Sequence, residues 1–282
     1  MREPRNLDEY RLWARKKLDL NFADARLARI YETNVNNVLT FVTQHPFFVG
    51  FSSEAAHWGE AYRRKTQADL FMVSPEPNLV IKPFTSVKEK TYRINVLRNR
   101  NFPAAPPDGW VNQTNLYSKI NDLVRGTLVC RFADGPEFVA TQISRYAARF
   151  GLTSHGYSQE RDDGYYAFHS YVTFEAELFD AKWNSAPAGV EVEIQITTQL
   201  QEVLRNLTHP LYEHRRLQAD DNSGKWKWEF RSNRFRLAYL SHALHLLESM
   251  VLDSRDGVLS SKPLVKKPRK PLVKSTKRPK HV

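Results

Sequence analysis

The sequence predicts an α/β fold of the α+β type, a mixed β-sheet flanked by helices, with a helical N-terminal region and a long C-terminal helix. Three observations predict it. Over the first 100 residues the apolar positions recur at helical spacing. After a loop marked by Pro103, Pro106, Pro107 and Gly109, strand and helix patterns alternate. Residues 225–254 then read as one long helix with Leu237, Leu240, Leu244, Leu247 and Val251 on one side.

Taken in order, residues 25–44 carry Ile30, Tyr31, Val35, Val38, Leu39 and Val42 on one helical face. Ser53, followed by Glu54, is the expected N-cap of a helix reaching about residue 70. A short apolar segment, Leu79-Val80-Ile81, leads through Lys82 into a helix over 86–98, with Ser86 as its N-cap. Residues 115–120 read as a short helix, 123–132 as a strand, 136–150 as an amphipathic helix and 165–178 as one or two strands. The clearest strand is 190–196, where Val190, Val192, Ile194 and Ile196 alternate with Glu191, Glu193 and Gln195. A helix over 199–217 follows, then the long one. The expected division is a helical region at 1–75, a catalytic-type domain at 76–255 and a tail at 256–282.

Composition bounds the function. At 282 residues, with 41 % apolar and 12 % aromatic residues, the chain can bury a sizeable core. Cys130 is the only cysteine, which excludes an intrachain disulfide and argues against a cysteine-based zinc site. The first 20 residues lack a signal-peptide apolar core, and no apolar run approaches the roughly 20 residues that span a bilayer, so a soluble cytoplasmic protein with no membrane association is expected. The net charge of +11 is concentrated at one end: nine basic and no acidic residues lie in 262–282, and without them 33 basic face 31 acidic residues. That stretch contains Lys-Pro-Leu-Val-Lys twice and four prolines, so it is expected to be extended and disordered. It reads either as a solubilising end or as a docking element for tRNA or the ribosome.

Four groups of residues carry candidate chemistry. Lys82, Ser86, Lys88 and Lys90 cluster around a helix start, which suits phosphate binding and equally suits a solvated basic face. Asp122 stands at the mouth of a strand with Arg125 just beyond; a carboxylate there can ligate Mg²⁺ or cap a turn, and Arg125 can clamp a phosphate. Gly164-Tyr165-Tyr166-Ala167-Phe168-His169 presents aromatics on a tight turn, fit either to stack on a nucleobase or to pack on the body. The polar side of 190–196 holds two carboxylates and an amide with no cation, suited to holding Mg²⁺ or taking a proton; it leads into a helix with Glu202, Arg205, His209 and Tyr212.

In this order the groups resemble the synthetase domain of the RelA/SpoT family, the (p)ppGpp pyrophosphokinases. Lys82, Ser86 and Lys90 match its Arg-x-Lys-x-x-x-Ser-x-x-x-Lys; Asp122-Leu123 matches its Asp-Leu-x-x-x-Arg; Gly164, Tyr165 and His169 complete its Gly-Tyr-x-x-x-His. Glu193-Ile194-Gln195-Ile196-Thr197-Thr198, with His209 and Tyr212 beyond, stands for Glu-Ile-Gln-Ile-Arg-Thr and its helix. The resemblance spans about 79–212, shows no hydrolase half, and looks like a small alarmone synthetase or a toxin relative.

The resemblance implies a nucleotidyltransferase-like synthetase fold that transfers the β,γ-pyrophosphate of ATP to the ribose 3′-hydroxyl of GDP or GTP, with Mg²⁺ as cofactor. It implies Lys82, Ser86, Lys90 and Arg125 on ATP, and Asp122 and Glu193 as catalytic and metal-holding carboxylates with Glu193 as the base. Tyr165, His169 and Gln195 would form the acceptor pocket, and relatives of this size often assemble into homo-oligomers. Val80, Thr127 and Thr197 depart from the pattern, standing where the family has Arg. Arg125 faces the same side of its strand as Thr127, and Arg98 and Arg100 are candidate replacements for the others. Two further readings stay open: an acceptor at the 3′ end of tRNA, and a catalytically degenerate nucleotide- or RNA-binding module.

Overall fold

The computed structural model describes residues 3–162, 164–215 and 224–261. The basic tail at 262–282, with its expected roles, lies outside the described residues, as do the side chains of His209 and Tyr212.

The N-terminal region is helical. Asn6 caps α1 (Leu7–Leu18) by accepting from the Asp8 and Glu9 amides, and Asp24 caps α2 (Ala25–Gln44) by accepting from Arg26 N at 2.8 Å. α3 (Pro46–Val49) and α4 (Phe51–Thr66) follow. Ser53 lies inside α4 and not at its cap: the chain turns into the helix already at Gly50, and Gln67 in a left-handed conformation ends it at Thr66, short of residue 70.

Five strands form one sheet in the order β1 (Val80–Ile81), β2 (Val124–Cys130), β5 (Ser185–Thr198), β4 (Tyr166–Phe179), β3 (Ser154–Glu160). β2 and β5 run parallel and the other pairs antiparallel, which makes the sheet mixed, as expected. Residues 166–179 are a single strand. β5 begins at Ser185, well before Val190, because twelve pairings with β4 carry the chain through Pro187 and Gly189 despite their poor strand propensity. Asp180 closes that hairpin by accepting from the Lys182 and Asn184 amides at 2.7 and 2.9 Å. β3 had no sequence signal: Ser-His-Gly-Tyr-Ser-Gln-Glu is an exposed polar strand with no apolar alternation.

The sheet has two unlike faces. Val124, Leu128, Val172, Phe174, Val190, Val192, Ile194 and Ile196 fill the apolar one, which α2 and α7 (Gly135–Ala148) cover. A second cluster, built on Tyr10, Trp13 and Leu20, packs α1 against α5 (Phe84–Tyr92). The opposite face stays polar and open. One wall beside it is α5, which continues through a π-helical turn at Arg93–Leu97; the other is α8 (Gln199–Arg215) with α9 (Asn233–Ser261). α6 (Leu116–Lys119) leads into β2.

Two expectations about these walls need correction. α5 begins at Phe84 after Pro83, so Ser86 lies within its first turn and is not the N-cap; proline at that point fixes the entry and starts the helix two residues earlier. The long helix does not begin at Lys225. Residues Lys225–Trp228 form a 3-10 turn anchored by the buried Trp226, and α9 starts at Asn233 and runs to Ser261, past residue 254. Its inward line is Ala238, Ser241 and Glu248, whereas Leu240, Leu247 and Val251 are 47 %, 50 % and 49 % exposed. No described helix is long and apolar enough to cross a membrane.

Candidate functional site

The polar sheet face is the floor of a cleft of about 960 Å³, a size in the range of small-molecule sites. Alternation puts the floor residues there. Arg125 lies beside Glu193 across the parallel pair, and Thr127 beside Gln195. On the other side of β5, Tyr171 is opposite Glu193 and His169 opposite Gln195; Tyr157 of β3 comes next to His169.

At one end Lys82, Lys90 and Asp122 form a buried cluster. Lys82 Nζ lies 2.7 Å from Asp122 Oδ2, and Lys90 Nζ lies 2.8 Å from Oδ1 and 2.7 Å from Asn121 Oδ1. The backbone locks Lys82 in place: its amide donates to the Leu123 carbonyl at 2.8 Å, and its carbonyl accepts from Tyr31 Oη at 2.6 Å. Burial pushes the Asp122 carboxyl up, but Lys90 and Lys82 outweigh it and hold the group well below the usual carboxylate range. Burial lowers the Lys82 ammonium from its ordinary value, opposed by Asp122.

At the other end the polar groups form one hydrogen-bonded chain whose polarity follows from its ends. Arg205 donates to Gln195 Oε1 at 2.7 Å, so Gln195 Nε2 donates to the Tyr165 hydroxyl. Tyr165 then donates to His169 Nε2 at 3.1 Å, which puts the imidazole proton on Nδ1, 2.5 Å from Glu193 Oε1. Tyr171 donates to the same oxygen at 3.1 Å. Burial and the adjacent Glu193 carboxylate raise the Tyr171 phenol far above its ordinary value, so it stays a donor. Glu193 is 7 % exposed, and its Oε2 carries no hydrogen bond among the described residues. Tyr157 stacks on His169 with centroids 5.8 Å apart, and Arg161 lies 5.4 Å from the Tyr165 ring centre.

Lys82, Lys90, Arg125, Asp122, Tyr165, His169, Glu193 and Gln195 thus all line one cleft. Ser86 and Lys88 are not among its lining residues, and Arg100 is exposed outside it. Val80, Thr127 and Thr197 do line it, and its arginines come from elsewhere: Arg125 from the floor, Arg93 and Arg98 from the π-turn wall, Arg161 from the end of β3 and Arg205 from α8. The seven cationic side chains face three carboxylates, a balance suited to a polyanionic ligand. Sequence reading missed Arg93, Arg161, Tyr157 and Tyr171. Arg93 follows Lys90 by three residues on one helix face, and Tyr171 follows His169 by two on one strand face, so both had a local signal. Arg161 and Tyr157 sit on or beside the unrecognised β3 and had none.

The π turn explains how the wall aims its cations. Arg98 N donates to the Arg93 carbonyl at 2.8 Å, an i to i+5 step. Asn95, fully buried, anchors it: its amide donates to the Tyr10 hydroxyl at 3.0 Å and the Val111 carbonyl at 2.9 Å, and its Oδ1 accepts from Val111 N at 2.9 Å. Arg93, Leu97 and Arg98, on this turn or at its end, all line the cleft.

No group of three metal-ligating side chains exists among the described residues. Mg²⁺ in phosphate sites needs no such group; it takes one or two carboxylates and fills its remaining positions with phosphate and water oxygens. Glu193, with one oxygen held and one without a bond, fits that mode. Asp122 fits it once its ammonium partners turn to phosphate.

By sequence, no family model and no curated protein matches the chain. By structure it is similar to the small alarmone synthetase 1 from Bacillus subtilis, with 16 % identity and a TM-score of 0.48 over 76 % of this chain and 92 % of that one. It is similar to the same extent to a GTP pyrophosphokinase family protein from Streptococcus pneumoniae. The Bacillus subtilis protein bound to its product pppGpp aligns with 17 % identity and a TM-score of 0.47, over 76 % of this chain and 93 % of that one.

Proposed function

We propose that the chain is a pyrophosphokinase that transfers the β,γ-pyrophosphate of ATP to the ribose 3′-hydroxyl of GDP or GTP. One observation carries the reading: a buried cation cluster and a histidine-backed carboxylate share one cleft in which cations outnumber carboxylates.

The chemistry needs little covalent help from the protein, since phosphoryl-type transfer is chiefly positioning and charge stabilisation. The triphosphate of ATP competes with Asp122 for the Lys82 and Lys90 ammonium groups, exchanging one anionic partner for another. Arg125 and Arg93 hold the transferred group from the floor and the wall. Mg²⁺ bound with the phosphates would be held by Glu193 and Asp122, and would neutralise charge on the transferred group. Glu193 takes the proton of the 3′-hydroxyl, and the oxygen so freed bonds to the β-phosphorus. The bond from that phosphorus to the α-bridging oxygen breaks and AMP leaves with the electron pair. His169 and Tyr171 orient the Glu193 carboxylate, Tyr165 stacks on the acceptor base, and Gln195 holds Tyr165.

The test is incubation with γ-³²P-ATP and Mg²⁺ alongside GDP, GTP, ADP or bulk tRNA, offered separately, with Glu193→Gln as control. Label on a guanine nucleotide, lost in the variant, is the expected result. Label only on tRNA would replace the acceptor, and label on none would replace catalysis with binding.

A further inference from the structure

α9, a helix of 29 residues, leaves Leu240, Leu246 and Leu247 exposed while it buries an alanine, a serine and a glutamate, Ala238, Ser241 and Glu248. What part of that inner side meets is the turn that carries Tyr165. Ser241, 1 % exposed, donates from Oγ to the Gly164 carbonyl. Its Oγ lies 3.0 Å from Gln201 Oε1, and its carbonyl accepts from Gln201 Nε2 at 3.4 Å, which ties α8 to the same point. Gly164 has φ +87°, and a Cβ there would stand 2.7 Å from Ser241 Cβ and 2.8 Å from the Ala238 carbonyl oxygen. The helix backbone therefore closes on the turn so tightly that only glycine fits.

The next residue of α9 repeats the contact. His242 Nε2 lies 2.9 Å from the Asp162 carbonyl; a carbonyl only accepts, so this nitrogen carries the proton, and Nδ1 accepts from the Tyr166 hydroxyl at 2.5 Å. One turn on, His245 stacks on the Tyr166 ring with centroids 4.0 Å apart. Tyr165 is thus flanked in sequence by Gly164 and Tyr166, both tied to α9, while its own hydroxyl is tied to Gln195 and His169.

We infer that α9 is a clamp for the acceptor site: Ser241 and His242 are positioning residues that fix the turn holding Gly164 and, through it, the Tyr165 ring against the cleft floor. The inference rests on the reading of Tyr165 as the acceptor's stacking partner. It also accounts for the polar residue at the centre of the α9 inner line, since an apolar side chain at Ser241 would leave the buried Gly164 carbonyl without this donor.

Ser241→Ala and the Ser241→Ala/His242→Ala pair keep the helix and most of its packing. Two measurements on the full chain decide the matter. Amide hydrogen exchange at Gly164, Tyr165 and Tyr166 should accelerate at least about fivefold in the double variant, the worth of one lost neutral hydrogen bond. Calorimetric affinity for GDP should fall about fivefold to tenfold in the single variant, while affinity for a non-hydrolysable ATP analogue holds. Unchanged exchange overturns the clamp. Equal losses for both nucleotides, or none for GDP, overturn the positioning role, as does wild-type protein that binds no GDP. Wild-type protein that binds GDP yet transfers no label would instead overturn the proposed reaction and leave the clamp standing.

Discussion

The two ends of the cleft floor bury polar groups by opposite means. At the Lys82 end a carboxylate sits between two ammonium groups, and the cluster is held by charge. At the Glu193 end a carboxylate is held by an imidazole and a phenol, and the rest of the chain is amide, hydroxyl and guanidinium in fixed directions. A charge cluster is indifferent to which anion completes it, so a triphosphate can replace Asp122 without loss of pairing. A directed hydrogen-bond chain is set before the ligand arrives and loses its bonds if a member turns. The contrast suits the two tasks: a site that takes up and releases a polyanion, and a site that must aim one carboxylate at one hydroxyl.

The largest test of the contrast is Glu193→Gln. The amide keeps the shape and removes the proton acceptor, so label transfer should fall about 10²- to 10⁴-fold, with the melting temperature nearly unchanged. A variant that retains transfer within a few-fold would remove Glu193 from the role of base.

Asp122→Asn should do the reverse, costing stability first. It leaves Lys82 buried with no counter-charge, and breaking a buried pair in this way costs about 3–5 kcal/mol in urea unfolding. The sign with pH follows from the carboxyl being held below its ordinary value of 3.8. The stabilisation is complete above that value and is lost as the pH falls through the lower native one, so the gap between wild type and variant should be constant near neutrality and close only in strong acid. A gap that closes between pH 7 and 5 would contradict the charge cluster.

Arg125→Ala separates binding from folding. The Arg125 side chain makes no ion pair or hydrogen bond among the described residues, so its loss should leave stability within about 0.5 kcal/mol. It should raise the KM for ATP about tenfold, the worth of one charge-assisted contact; an unchanged KM would take Arg125 off the phosphates. The smallest effect is expected from Tyr171→Phe, which removes one of the two bonds to Glu193 Oε1. About 1 kcal/mol of stability and a several-fold loss of kcat are expected with the KM for ATP constant, and a rise in that KM alone would break the division between the two ends.

How much of this was legible beforehand differs by element. α2 was readable because its apolar spacing is a local signal, and the structure adds the Asp24 cap that fixes its start. The two faces of β5 were readable because side chains alternate on any strand. β3 was not, being a polar strand that exists only because β4 lies beside it. α9 was readable as a helix and misread as to its face: its leucines follow helical spacing, but the turn around Gly164 demanded a donor and small side chains, and Thr198 at the end of β5 demanded an acceptor.

The sequence alone therefore determined the class of fold, most of the elements and the ordered residues Lys82, Lys90, Asp122, Tyr165, His169, Glu193 and Gln195, because caps, periods and motif spacings act over a few residues. Only the tertiary structure decided that β5 lies between β2 and β4 and that Asp122 is shared by two lysines. It alone decided that arginines from a π turn, a hairpin end and α8 join Arg125 in the cleft, and which side of α9 faces in. The physical reason is distance along the chain. Lys82 meets Asp122 across 40 residues, and Gly164 meets Ser241 across 77. Contacts closed over such spans are fixed by the packing of the whole chain and leave no local pattern to read.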